Sequence, residues 1–173
     1  MKKTLAIVAL AMTATSAFAQ SDERVAAYKD WSVFNPADPK ECYIVSPPVN
    51  TTAQRGGSTV SVNRGEIRLF VTIRPDAGVN KEVSYTGGYP FREGSTVTVE
   101  IGSDTHTLNV GSGESREWAW PPTPDVDAAV INSMKVGASA SITAVSSRGT
   151  TTIDSFSLLG FSAALTEAEK LCN

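Results

Sequence analysis

Between Glu66 and Ile73 the chain alternates residue by residue: Ile67, Leu69, Val71 and Ile73 hold one phase, and Glu66, Arg68, Phe70 and Thr72 the other. Successive side chains of a strand point to opposite faces, so this pattern describes a strand with one face against a core. The period recurs. Val97, Val99 and Ile101 alternate with Thr96, Thr98 and Glu100, and Ala138, Ala140, Ile142 and Ala144 alternate with Ser139, Ser141 and Thr143. Shorter strand candidates are Trp31 to Phe34, Cys42 to Ser46, Thr59 to Asn63, Glu82 to Thr86, Thr105 to Val110 and Glu117 to Trp120. Gly-, Asn-, Asp- and Pro-rich turns such as Gly56-Gly57, Gly87-Gly88 and Arg148-Gly149 punctuate them. Many short strands at close spacing predict a mainly β fold, a single-domain antiparallel β-sandwich or barrel.

Two segments switch to the helical period. Thr123-Pro124-Asp125 combines a hydroxyl cap, a proline at the first helical position and an acidic first turn, with Val126, Val130 and Met134 on one face, so a short helix is expected over about 124–136. In "SLLGFSAALTEAEKLCN", Leu158, Phe161, Leu165, Ala168 and Cys172 recur at three-four spacing, which predicts a C-terminal helix over about 158–171 with a buried stripe.

That stripe carries Cys172 toward the core, and the chain has two cysteines, the other being Cys42 at the start of a strand. A Cys42–Cys172 disulfide is expected, tying the two ends of the domain together. In the chain-entropy picture so long a loop is worth about 5 kcal/mol, an upper figure. Two free buried thiols or a bridge between chains are the alternatives. The spacing is neither Cys-x-x-Cys nor a zinc pattern, so no redox or metal role is expected.

The compartment follows from the first residues. Lys2 and Lys3, an apolar run from Leu5 to Met12 and the small-residue ending Ala17-Phe18-Ala19 have the layout of a secretory signal peptide over residues 1–19, cleaved after Ala19. Residues 20–173 are then one exported domain in an oxidising compartment, the periplasm, with no membrane span after cleavage. Without Lys2 and Lys3, 13 basic side chains face 18 acidic ones, a formal charge of −5. The basic residues are scattered singly, so nucleic acid is not an expected partner.

The stretches "DWSVF", "ECYIVSPP", "RGEIRLFVTIRP", "VSYTGGYPF", "EWAWPP" and "SSRGTTTIDSFSLLGFSAALTEAEKLC" together resemble the invasion-associated locus B family of exported alphaproteobacterial proteins. The resemblance runs from Trp31 to Cys172 and implies a compact periplasmic β-rich domain, in a family named for host-cell invasion and without an established enzymatic activity. Many members carry a further cysteine just after the N-terminal tryptophan motif. Trp31 to Asn35 contains none, which places this chain in a different branch.

Candidate sites are few. His106 is the one histidine, and neither a Gly-x-Ser-x-Gly elbow nor a Ser-x-x-Lys pair is present, so no catalytic residue is assigned. Glu93, Glu100 and Asp104 are the carboxylates a glycosidase-like reading would use, although they sit in turns or on an outward strand face. Trp118 and Trp120 are two apart and share a strand face, either filling a core or forming a stacking platform. Tyr85, Tyr89 and Phe91 surround the Gly87-Gly88 turn, where they either plug one end of the sheet or present an apolar loop. Arg148 is the one arginine in the most family-specific stretch. The expected function is a monomeric, cofactor-free, non-enzymatic envelope protein. It would either bind an envelope protein or a glycan through a sheet face or an aromatic loop, with Tyr85, Tyr89, Phe91, Trp118, Trp120 and Arg148 as the candidate contacts, or serve as a structural domain with no small ligand. The alternative is a carboxylate-dependent hydrolase of envelope material.

Overall fold

The computed structural model describes residues 24–36 and 40–173. The signal-peptide segment 1–19 and its cleavage point lie outside the described residues. The elements follow in the order β1 (Arg24–Tyr28), β2 (Trp31–Phe34), β3 (Cys42–Ser46), β4 (Asn50–Arg55), β5 (Ser58–Thr59), β6 (Arg68–Arg74), β7 (Val79–Thr86), β8 (Thr96–Ile101), β9 (Asp104–Val110), β10 (Trp118–Trp120), α1 (Pro124–Val136), β11 (Ser139–Val145), β12 (Thr151–Ser157) and α2 (Phe161–Leu171). Among the described residues the strands form one antiparallel sheet in the order β1-β2-β3-β6-β7-β10-β9-β8-β11-β12-β4-β5.

The ladder does not close, since β1 and β5 end it without pairing to each other. Of the two expected architectures, the sheet therefore takes the sandwich-like form. It folds over on itself, so that Tyr85 of β7 meets Phe156 of β12 edge to face with centroids 6.2 Å apart. The Trp31 indole N–H of β2 donates to the Ser157 carbonyl of β12 at 3.0 Å. The inward phase of the alternation, including Val33, Ile44, Leu69, Val71, Val83, Val97, Val99, Leu108 and Ile142, fills the space between the two halves.

Helix α1 matches its expected bounds, with Thr123 Oγ1 accepting from the Val126 N–H at 3.4 Å and Pro124 at the first position. The C-terminal helix starts three residues later than the spacing predicts. Gly160 sits at φ +90°, outside helical space, and a Cβ there would fall 1.9 Å from the Tyr28 carbonyl oxygen. Leu158 therefore lies just past β12, buried, and the helix runs from Phe161. It lies flat on the first strands, with Phe161 edge-on to Trp31 at 5.0 Å and Cys172 disulfide-bonded to Cys42.

The segment Thr59 to Asn63, expected as a strand, pairs only at Ser58–Thr59. Beyond it the chain crosses the end of the sandwich, and the Gly65 N–H donates to the Gly88 carbonyl at 2.9 Å. Gly88 lies at φ +69°, and its missing side chain would have met Gly65 backbone at 2.5 Å. The diglycine turn thus lets this crossing approach closely enough to carry Arg64 inward.

Candidate functional site

The outward phase of the strands builds the first candidate surface. Phe34 and Tyr43 are direct cross-strand partners on β2 and β3, stacked at 4.9 Å with planes 8° apart. Tyr43 meets Phe70 of β6 at 5.9 Å, Phe70 meets Trp118 of β10 at 5.6 Å, and Trp118 stacks on Trp120 at 6.3 Å and 19°. Phe70 and Trp118 reach each other across β7 because β7 presents small residues there: Phe70 pairs in register with Ser84, and Trp118 with Thr86. Ser84 and Thr86 are buried under these rings although they belong to the outer face. The result is a five-ring diagonal strip following the twist of the sheet.

Beside the strip runs an open groove of about 440 Å³, lined by Tyr43, Phe70, Ser84, Trp118, Trp120 and Arg74 among others. Arg74 sits between Glu82 at 2.5 Å and Glu41 at 3.7 Å, so the rim is charged and internally paired. Trp118 and Trp120 share a face, as their spacing implied. Phe34, Tyr43 and Phe70 were missed because they lie on three other strands. The available signal was an aromatic residue in the solvent phase of each strand.

The YTGGYPF stretch takes the plugging arrangement. Tyr85 and Phe91 are fully buried, so neither offers a surface to a partner, contrary to the binding role expected of them. Their rings stack at 5.9 Å, with Tyr89 edge-on to Phe91 at 5.2 Å, and the three fill the end of the sandwich. Beneath them lies a polar network that sequence reading missed. Asp154 of β12, fully buried, receives both terminal nitrogens of Arg64, at 2.7 and 2.6 Å, and the Tyr85 hydroxyl at 2.5 Å. Arg64 also donates through Nε to the Gly87 carbonyl at 2.9 Å and lies 5.0 Å from the centroid of the Tyr89 ring.

Burial alone would lower the Arg64 pKa, but the hydrogen bonds and charge of Asp154 outweigh it and raise the value. Burial, reinforced by Asp154, pushes Tyr85 far above the ordinary phenol range, so it remains a fixed donor. Burial likewise raises Tyr89, whose hydroxyl is 2.5 Å from Thr152 Oγ1. No buried side-chain polar atom lacks a partner among the described residues.

On the outer side of this plug, a second cleft of about 450 Å³ contains Tyr89 and Arg148 together with Arg55, Arg64 and Glu117. The sequence offered Tyr89, Arg148 and the tryptophans as separate candidates for partner binding. The structure brings Tyr89 and Arg148 together in this cleft and leaves Trp118 and Trp120 in the aromatic strip.

A serine, the histidine and an acid also come together, in an order unsuited to nucleophilic catalysis. Ser133 of α1 lies 2.9 Å from His106 Nε2 and donates to Asp104 Oδ2 at 2.7 Å. The carboxylate thus meets the serine rather than the imidazole, whereas in a catalytic relay the acid holds the imidazole and the imidazole takes the serine proton. Ser133 is buried within α1, 3.2 Å from the Ala129 carbonyl, and ties the helix to β9. Glu93, Glu100 and Asp104 are exposed and line neither the aromatic groove nor the arginine cleft. Among the described residues no group of three or more His, Cys, Asp or Glu converges on a point suited to a metal ion. No helix among them is long and apolar enough to cross a membrane.

Residues 31–169 match the family described as "Invasion associated locus B (IalB) protein". No curated protein matches the chain. Solved structures include a match titled "Crystal structure of invasion associated protein b from bartonella henselae", with a TM-score of 0.56 and 15% identity, covering 84% of this chain and 96% of that one. At that identity the likeness speaks for the fold.

Proposed function

This chain belongs to the invasion-associated locus B family, and from that membership we propose that it is a periplasmic, non-catalytic binding domain that engages an envelope protein through the aromatic strip. The signal-like start, with cleavage after Ala19, supports the compartment. The single observation that carries the binding role is the five-ring strip on the outer sheet face, reached only by placing aromatic residues in the solvent phase of four separate strands. A core has no use for rings in that phase, and a stripe of aromatic surface beside a charged rim has the composition of a protein-contact patch.

The ring orientation favours a protein over a glycan. Sugars stack on a free ring face, whereas Phe34 and Tyr43 already stack on each other.

Photo-crosslinking in intact cells tests the reading. A benzophenone side chain at Thr72, in the groove, is expected to give discrete protein adducts that fall when Trp118 and Trp120 are replaced by Ser. The same probe at Ser162, on the exposed side of α2, is expected to give none. Equal adducts from both positions, or adducts indifferent to the two tryptophans, would refute the assignment, and retention on a glycan column that depends on Trp118 and Trp120 would replace it with the glycan reading.

A further inference from the structure

The cleft that holds Arg148 has a charge arrangement the aromatic strip does not explain. Three arginines line it, Arg55, Arg64 and Arg148, with Glu117 as its one carboxylate. Arg64 is neutralised from below by Asp154. Arg55 is held differently: its Nε and Nη2 both donate to Thr150 Oγ1, at 3.1 and 2.6 Å. Thr150 is buried and neutral, so the guanidinium is oriented while no carboxylate pairs with it among the described residues. Arg148 is exposed and has no hydrogen-bond or ion-pair partner among the described residues.

The turn carrying Arg148 is nonetheless rigidly built. The Ser146 N–H donates to the Thr150 carbonyl at 2.8 Å, the Thr150 N–H to Ser146 Oγ at 3.0 Å, and the Gly149 N–H to the Ser146 carbonyl at 2.9 Å. The Ser147 N–H donates to the Pro90 carbonyl at 2.9 Å, pinning the hairpin to the aromatic plug. A cation on a fixed turn and another clamped by a neutral hydroxyl are preoriented without being compensated. Glu117 supplies one negative charge against these two, in a chain whose total charge is negative. The positive balance is therefore local to the cleft rather than a consequence of bulk composition.

We propose that this cleft binds a small ligand through an oxyanion, a carboxylate or a phosphate group, held by Arg55 and Arg148. Planar guanidinium forks match both groups in bidentate fashion, and Ser61, Asn63 and Ser147 add neutral polar contacts along the wall. The volume, about 450 Å³, falls in the range of small-ligand sites. Tyr89, with the Arg64 guanidinium over its ring, lines the same cleft. The site is separate from the aromatic strip, and either assignment stands or falls without the other.

The test is a titration of the oxidised mature protein, followed by the arginine side-chain Nε resonances at constant ionic strength, with inorganic phosphate in one arm and glucuronate in the other. Saturable shifts of Arg55 and Arg148 are expected in at least one arm, and the arm that saturates names the anion. Arg148→Gln, on an exposed turn tip and hence compatible with folding, is expected to weaken binding about tenfold, the scale of a lost charge-assisted contact. The Arg55→Gln/Arg148→Gln variant is expected to abolish saturation, while Arg148→Lys keeps part of the affinity. Absence of saturation in both arms, or a midpoint unchanged in the double variant with a native circular dichroism spectrum, would overturn the proposal.

Discussion

Replacing Asp154 by Ala tests the polar network under the aromatic plug most directly. The side chain is fully buried and accepts three short hydrogen bonds, two of them from a guanidinium whose side chain is only 8% exposed. The variant leaves that cation buried without its counter-charge and the Tyr85 hydroxyl without an acceptor. Removing one partner of a buried ion pair costs about 3–5 kcal/mol. An orphaned buried hydroxyl adds roughly 1 kcal/mol or more, with incomplete additivity because both donors share one carboxylate. We therefore expect a loss of about 4 kcal/mol, a large share of the 5–15 kcal/mol typical of a domain. At roughly 2–4 °C per kcal/mol for this chain length, that is a fall in Tm of about 8–16 °C. Urea unfolding of the oxidised protein, followed by tryptophan fluorescence, reads the change as a shift in midpoint at constant slope. The apolar replacement Arg64→Met/Asp154→Leu/Tyr85→Phe removes all three polar groups together and is expected to recover most of the loss, since the penalty lies in the unpaired charge. A loss below about 1.5 kcal/mol for Asp154→Ala, or no recovery in the triple variant, would refute the account.

The Cys42–Cys172 bond closes a loop with a sequence separation of 130, so Cys42→Ser/Cys172→Ser is expected to lower stability by up to about 5 kcal/mol. A thiol assay on the unfolded, unreduced protein should find no reactive cysteine, and reactive thiols there would contradict the pairing. Asp127 of α1 accepts from the Val83 N–H at 2.7 Å, and burial, with Glu82 nearby, pushes its pKa up from 3.8 to about 6. Between those values the folded protein binds more proton than the unfolded chain, so this group destabilises the fold progressively as pH rises from about 4 through about 6. Asp127→Asn keeps an acceptor for Val83 and removes the titration. The Tm of the parent relative to Asp127→Asn should therefore fall as pH is raised through that window, and a flat or rising difference would contradict the assignment.

Much of the scaffold was legible because its elements carry periodic apolar patterns. Strand Cys42–Ser46 and helix Pro124–Val136 fall where alternation and capping chemistry put them. Strands Arg24–Tyr28, Asn50–Arg55 and Thr151–Ser157 were not legible, for a shared reason: none pairs an apolar face with a polar one. In Thr151–Ser157 the buried face is Thr152, Asp154 and Phe156, while Ile153 points outward. A carboxylate on the inward phase reads as solvent-facing until its partner is known.

That partner marks the boundary between what local pattern decides and what the assembled fold decides. Alternation, caps and turn glycines determined a β-rich domain with a terminal helix, because each depends on residues a few positions apart, and the clasp was legible because the chain has two cysteines. The buried Arg64–Asp154 pair spans 90 residues, the aromatic strip takes its rings from four strands, and Arg55, bonded to Thr150, comes to line one cleft with Arg148. Such sites come from strand order and sheet curvature. These bring together side chains whose separations along the chain carry no periodic signal, and only the tertiary structure decides which arginine meets the buried carboxylate and which is left facing solvent.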